Sequence, residues 1–217
     1  MKKFITFLLI YTFTFTITGQ NGNEAKDLLD AVAKKVESYT NIYVEFTHKF
    51  ENKEAEVNQE ARGFATLQGN LYHLNYMGTE QLYDGNKTYL IIHEDEEVII
   101  QDPDLSDDET LTPSKMFSFY KTGFNYEMGE LKNVNGIKIQ FVKLIPIDSN
   151  SEIINVMVGV DVKTNHIYTI IETGQNETIT TFEVRTFKTN QPVSEKLFIF
   201  DEQKYRDEKK YTISEPN

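Results

Sequence analysis

The segment Glu60-Ala61-Arg62-Gly63-Phe64-Ala65-Thr66-Leu67-Gln68 runs through Gly69-Asn70 into Leu71-Tyr72-His73-Leu74-Asn75-Tyr76, and it settles the architecture. After a short polar break come Gln81-Leu82-Tyr83, an Asp84-Gly85-Asn86 turn, and Lys87-Thr88-Tyr89-Leu90-Ile91-Ile92. Aromatic and aliphatic residues fall on alternate positions, the period of a strand with one buried face. The breaks between these runs are hairpin-sized. The region therefore predicts consecutive antiparallel strands, and a sheet of this kind with one apolar face can curl into a shell.

Upstream, Ala25, Leu28, Leu29, Val32, Val36 and Tyr39 recur at helical spacing and predict an amphipathic helix over 24–39, with Asn23 as its N-cap. The period then changes from 3.6 to 2, because Ile42, Val44, Phe46, His48 and Phe50 alternate with polar or larger neighbours. Val57, Ala61, Gly63, Ala65 and Leu67 give the next strand a face of small residues, where another group can approach closely.

Downstream, strands continue over 89–93 and 98–101 around the acidic turn Glu94-Asp95-Glu96-Glu97. A polar loop over 102–112 ends in Thr112-Pro113-Ser114, an N-cap followed by proline at the first helical position. The short helix expected there carries Met116, Phe117, Phe119 and Tyr120, so it either plugs a core or covers a cavity as a lid. Further strands are read over 138–147, 153–162, 167–172, 178–187 and 195–200, with turns at Asn133 to Gly136, Lys163 to His166, Gly174 to Glu177 and Asn190 to Pro192. The fold class is mainly β (α+β). A single strongly curved antiparallel sheet of about ten or eleven strands forms an open, incomplete β-barrel, with an N-terminal helix and the short lid or plug helix.

The chain has 217 residues, 39% of them hydrophobic and 12% aromatic, enough for one domain with a sizeable core. Lys2 and Lys3, the uncharged run over 4–17, and Thr18-Gly19-Gln20 have the layout of a signal peptide of residues 1–20. The run is too short to span a bilayer as a helix. These features predict export to the periplasm, cleavage after Gln20 and a domain over 21–217. The absence of cysteine excludes a lipid-modified cysteine, a disulfide framework, a thiol nucleophile and Cys-ligated zinc. Loss of Lys2 and Lys3 takes the formal net charge from −12 to −14, which disfavours nucleic acid and anionic bilayers as partners.

No motif for covalent chemistry appears. His48, His73, His93 and His166 have no helical metal-ligand spacing, and neither a nucleophile elbow nor a phosphate-binding glycine loop is present. The acidic run Asp102 to Glu109 lacks the glycine and closing glutamate of a calcium loop and reads as solvated. We therefore expect no enzyme, no metal and no cofactor. What remains is the apolar strand face. It is either an ordinary core or one left partly hollow for acyl chains, with Phe46, Tyr72, Leu74, Tyr76, Leu82, Leu90, Ile92, Met116, Phe117 and Tyr120 around the hollow.

The order of these landmarks resembles the LolA family of periplasmic outer-membrane lipoprotein carriers over nearly the whole chain after residue 20. The helix and Val44-Glu45-Phe46-Thr47, then Arg62-Gly63-Phe64, Leu71-Tyr72-His73-Leu74, Asp84-Gly85-Asn86, Thr112-Pro113, 178–190 and Leu197-Phe198-Ile199-Phe200-Asp201 fall in the family's sequence of elements. The resemblance implies a monomeric carrier or chaperone that shelters the acyl chains of lipoproteins. It also implies an inner-membrane releasing transporter and an outer-membrane receptor as partners. Two departures stand out: Gln68-Gly69-Asn70 replaces the family's Arg-Pro pair, and Leu74 occupies the usual tryptophan position in a chain without tryptophan. A lipid-sensing or other lipid-binding envelope module of the same fold is the alternative reading.

Overall fold

The computed structural model describes residues 18–102 and 117–215. One helix, α1 (Thr18–Glu37), precedes the sheet strands β1 (Ile42–Asn52), β2 (Val57–Gln68), β3 (Leu71–Tyr76), β4 (Thr79–Tyr83), β5 (Thr88–Ile92) and β6 (Glu97–Gln101). The second series is β7 (Phe124–Val134), β8 (Ile137–Pro146), β9 (Ile153–Asp161), β10 (His166–Gly174), β11 (Thr178–Thr189) and β12 (Thr212–Ser214). All twelve form one sheet in the order β12-β6-β5-β4-β3-β2-β1-β11-β10-β9-β8-β7, which does not close on itself. The expected open, incomplete barrel is therefore present, with twelve strands where the sequence predicted ten or eleven.

Within β1 to β6 and within β7 to β11, successive strands are antiparallel neighbours joined by short turns. Several turns use left-handed residues: Met77 (φ 51°) with Gly78 (φ 78°), and Asn135 (φ 51°) with Gly136 (φ 85°), both the two-residue hairpin chemistry that favours Asn-Gly. The two series are joined by β1 and β11, which pair from Ile42↔Thr189 to Asn52↔Thr178 with one bulge at Glu45/Phe46. β12 lies parallel to β6 and ends the sheet on that side.

The main core lies on the inner face. Ala25, Leu29, Val32 and Ala33 of α1 pack with Val142, Leu144, Val156, Val158, Val160, Ile167 and Ile170 of β8 to β10, and with Val44, Leu67 and Tyr72 of β1 to β3. The helix begins at Thr18, so Asn23 is an interior residue and not the predicted cap. Contact with the free edge strand accounts for the extra turn. The Met128 N–H donates to Asn21 Oδ1 at 3.0 Å, and a Cβ built on Gly22 would stand 3.0 Å from the Tyr126 carbonyl oxygen.

A second core lies on the outer face. Ile91, Val98 and Ile100 are covered by Tyr205, with Tyr89, Phe200, Tyr211 and Ile213 packed around them. The segment 195–200, predicted as a strand, is instead a short 3₁₀ turn, Glu195–Phe198. Its alternation is genuine, because Phe198 is buried and Phe200 stacks on Tyr89 at 4.5 Å. It crosses the back of the sheet, so this alternation belongs to a covering segment.

Candidate functional site

The candidate site follows β1 along its length. Around the start of β1, the end of α1, the Gly69-Asn70 turn and Phe117-Ser118 enclose a polar pocket of about 450 Å³. Glu37 and Lys121 face each other at its rim, 3.2 Å apart. Leu67 and Phe117 line this pocket and also line an apolar cavity of about 20 Å³, whose other walls are Val44, Phe46, Ile167, Ile170, Phe182 and Val184. Such a volume holds roughly one water and no acyl chain. Among the described residues, Leu67 and Phe117 thus stand between a wide polar mouth and a small apolar seam.

The segment bearing Phe117 is fixed from three sides. Tyr120 is wholly buried, and its hydroxyl donates to the Leu29 carbonyl of α1 at 2.6 Å. The Tyr126 hydroxyl donates to the Tyr120 carbonyl at 2.6 Å, while Phe117 meets Phe187 edge-on at 6.2 Å. Burial pushes the Tyr120 hydroxyl well above its ordinary pKa, as expected of a neutral structural donor. In the described residues this segment is a 3₁₀ turn, Phe119–Lys121, and it plugs the core. Met116 and the Thr112-Pro113 start lie outside the described residues.

Strand register places the other predicted lining residues. Directly opposed residues share a face, so the Gly63↔Phe46, Ala65↔Leu74 and Leu67↔Tyr72 pairs put Phe46, Tyr72, Leu74 and Tyr76 on the inner face. Leu90 and Ile92 follow them through Gln81 and Thr79 and remain half-buried there. Leu82 must be moved. It opposes His73 and Tyr89, so it belongs to the outer face with Ile91, under the C-terminal segment. The cavity's second wall, Ile167, Ile170, Phe182 and Val184, was missed. Its strands read as apolar in the sequence, but only the β1–β11 pairing brings them opposite Phe46. Gly63 fits the expectation of a close approach, since a Cβ there would stand 2.6 Å from Phe46 Cζ.

Beyond the cavity the inner face turns polar. His48 stacks on Phe182 at 4.4 Å and hydrogen-bonds the Tyr76 hydroxyl, and burial pushes the imidazole below its ordinary pKa. On the outer face His73 and His93 meet the two carboxylate oxygens of Glu80 at 3.1 and 2.8 Å. The hydrogen bond from His73, followed by that from His93, holds the Glu80 carboxyl down at about 2 against the opposing effect of burial. Among the described residues no group of three His, Asp or Glu side chains is arranged to hold a metal ion. Nor is any described helix long and apolar enough to cross a membrane.

The architecture defines a class, the helix-bearing open β-barrel, and the chain aligns with several solved structures. A conserved protein from Thermus thermophilus aligns over 89% of this chain and 99% of its own at 7% identity, with a TM-score of 0.60. A LolA superfamily protein from Nitrosomonas europaea aligns over 81% of this chain and 97% of its own, at 11% identity and a TM-score of 0.45. LprF from Mycobacterium bovis aligns over 79% and 95% respectively, at 11% identity and 0.47. At 7% identity the likeness to the Thermus protein is one of fold alone. No protein-family model matches the sequence, and no curated relative matches it.

Proposed function

We propose that the protein is an exported, lipid-binding envelope protein that carries the acyl chains of lipoproteins from the inner to the outer membrane. One observation carries this reading: two side chains, Leu67 and the Phe117 of the plug segment, stand between a mouth of about 450 Å³ and an apolar seam walled by both halves of the sheet. Burying a phenylalanine is worth roughly 1.5–3 kcal/mol, and each sheltered methylene about 0.8 kcal/mol. About four methylenes of an entering chain therefore offset expulsion of the plug. Longer chains bind, while the cost of opening keeps affinity moderate and release feasible. In this reading residues 1–20 are the export signal. The mature carrier is a monomer that performs no covalent chemistry, is loaded by an inner-membrane transporter and unloads to an outer-membrane receptor.

The test is titration of the purified protein with a fluorescent hydrophobic probe, then displacement by a triacylated lipopeptide and by its deacylated form. Saturable probe binding displaced only by the acylated form is expected. Leu74→Glu, which puts a charge on the half-buried inner face, should abolish uptake while circular dichroism stays unchanged. An absence of probe binding, or equal displacement by the deacylated peptide, would overturn the proposal.

A further inference from the structure

The inner face contains a carboxylate, Glu172, for which the described residues supply no hydrogen bond or ion pair. Glu172 opposes Thr180 on β11 and Val156 on β9, and Val156 belongs to the main core. Its side chain therefore shares the inner face with Ile170, two residues back along β10, and with Phe182, which opposes Ile170. Ile170 and Phe182 are walls of the apolar cavity. Two residues along a strand are separated by about 6.5 Å, so Glu172 is the first ionisable group past the cavity wall on β10. Phe50 opposes Thr180 on β1, and the His48–Tyr76 pair lies on the same face beside Phe182.

Glu172 is half-buried, and burial pushes its carboxyl pKa up, with no partner among the described residues to offset it. Holding a carboxylate in apolar surroundings without a donor is unfavourable. The arrangement is complementary to a ligand that brings the donor with it. We infer that the end of the cavity opposite the Phe117 mouth is a subsite for a protonated amine, so that the preferred ligand is an amphiphile whose alkyl part fills the seam and whose ammonium group reaches Glu172. This rests on the proposal that the seam opens to alkyl chains and goes beyond it to a second ligand class, an amphiphile small enough to enter whole. The imidazole and phenol of His48 and Tyr76 form the neutral polar rim of the subsite. An anionic amphiphile would meet the Glu172 charge and be rejected, a selection for which the apolar walls alone have no means.

Decylamine, decanol and decanoate share one alkyl length and differ in head charge, so their displacement of a neutral fluorescent probe at neutral pH separates the two proposals. Decylamine should displace at about tenfold lower concentration than decanol, the range of one charge-assisted hydrogen bond, and decanoate should be weaker than decanol. Glu172→Gln should bring decylamine to the decanol value and leave decanol unchanged. Glu183→Gln, on the outer face of β11 where it opposes Thr169, removes the same charge and should keep the preference. Decanol binding without an amine preference, or a preference that survives Glu172→Gln or is lost in Glu183→Gln, would overturn the subsite and leave the carrier reading intact. Failure of all three to bind would overturn both.

Discussion

Single side chains fix the plug segment and make one contact of the sheet acid-sensitive. The Tyr120 hydroxyl is the buried tie between the plug segment and α1, beside the exposed Glu37–Lys121 pair. Tyr120→Phe keeps the ring and removes the bond, so it should cost about 1 kcal/mol of stability and raise probe uptake, both measurable by denaturant titration with and without probe. Glu80 makes a pH-dependent contribution to stability in acid. Its carboxyl lies at about 2 in the folded protein against 4.5 ordinarily, so the folded state favours ionised Glu80. That contribution is complete above about pH 4.5 and is lost as the pH falls towards about 2. Glu80→Gln should lower stability at neutral pH by roughly 1–3 kcal/mol and flatten the acid limb of a stability-against-pH curve. An unchanged acid limb would show that the two histidines do not hold this charge. Neither role was legible in sequence, because His73, Glu80 and His93 converge only through the β3–β4–β5 register.

At the scale of elements, alternation read correctly where a strand has one buried face and an even period. β1 to β6 and β8 to β11 were each visible for that reason. β7 was missed because its period breaks: register shifts between Met128 and Leu131, and most of its side chains are exposed on a sheet edge. The C-terminal Phe198 and Phe200 alternate as a strand would, yet they serve as a cover. That cover is large in energetic terms. Leu82, Ile91, Val98 and Ile100 are buried on the face it protects, and at roughly 1.5–3 kcal/mol each they approach the whole stability of an ordinary domain. Deleting residues 194–217 should therefore cause aggregation or a collapse of the melting temperature. A truncated chain that melts like the full one would show the second core to be dispensable.

Across the whole molecule, the sheet is continuous only because residues 42–52 pair with residues 178–189. This pairing spans most of the chain, and it also builds the cavity, so the site was only half legible: sequence displayed the Phe46 wall and the plug but not the wall opposite. Sequence-distant pairing of this kind makes folding slow. Refolding from denaturant, followed by far-UV circular dichroism since the chain has no tryptophan, should take milliseconds to seconds, and a microsecond phase carrying the full amplitude would contradict it. An unclosed sheet also has ends, and an unpaired strand end can template the addition of another chain. At β7 the Asn21 side chain occupies one such donor, the Met128 N–H. Asn21 thus acts as a stopper on that edge, and Asn21→Ala, which frees the Met128 N–H, should raise the tendency of the purified protein to associate end to end, as read by light scattering.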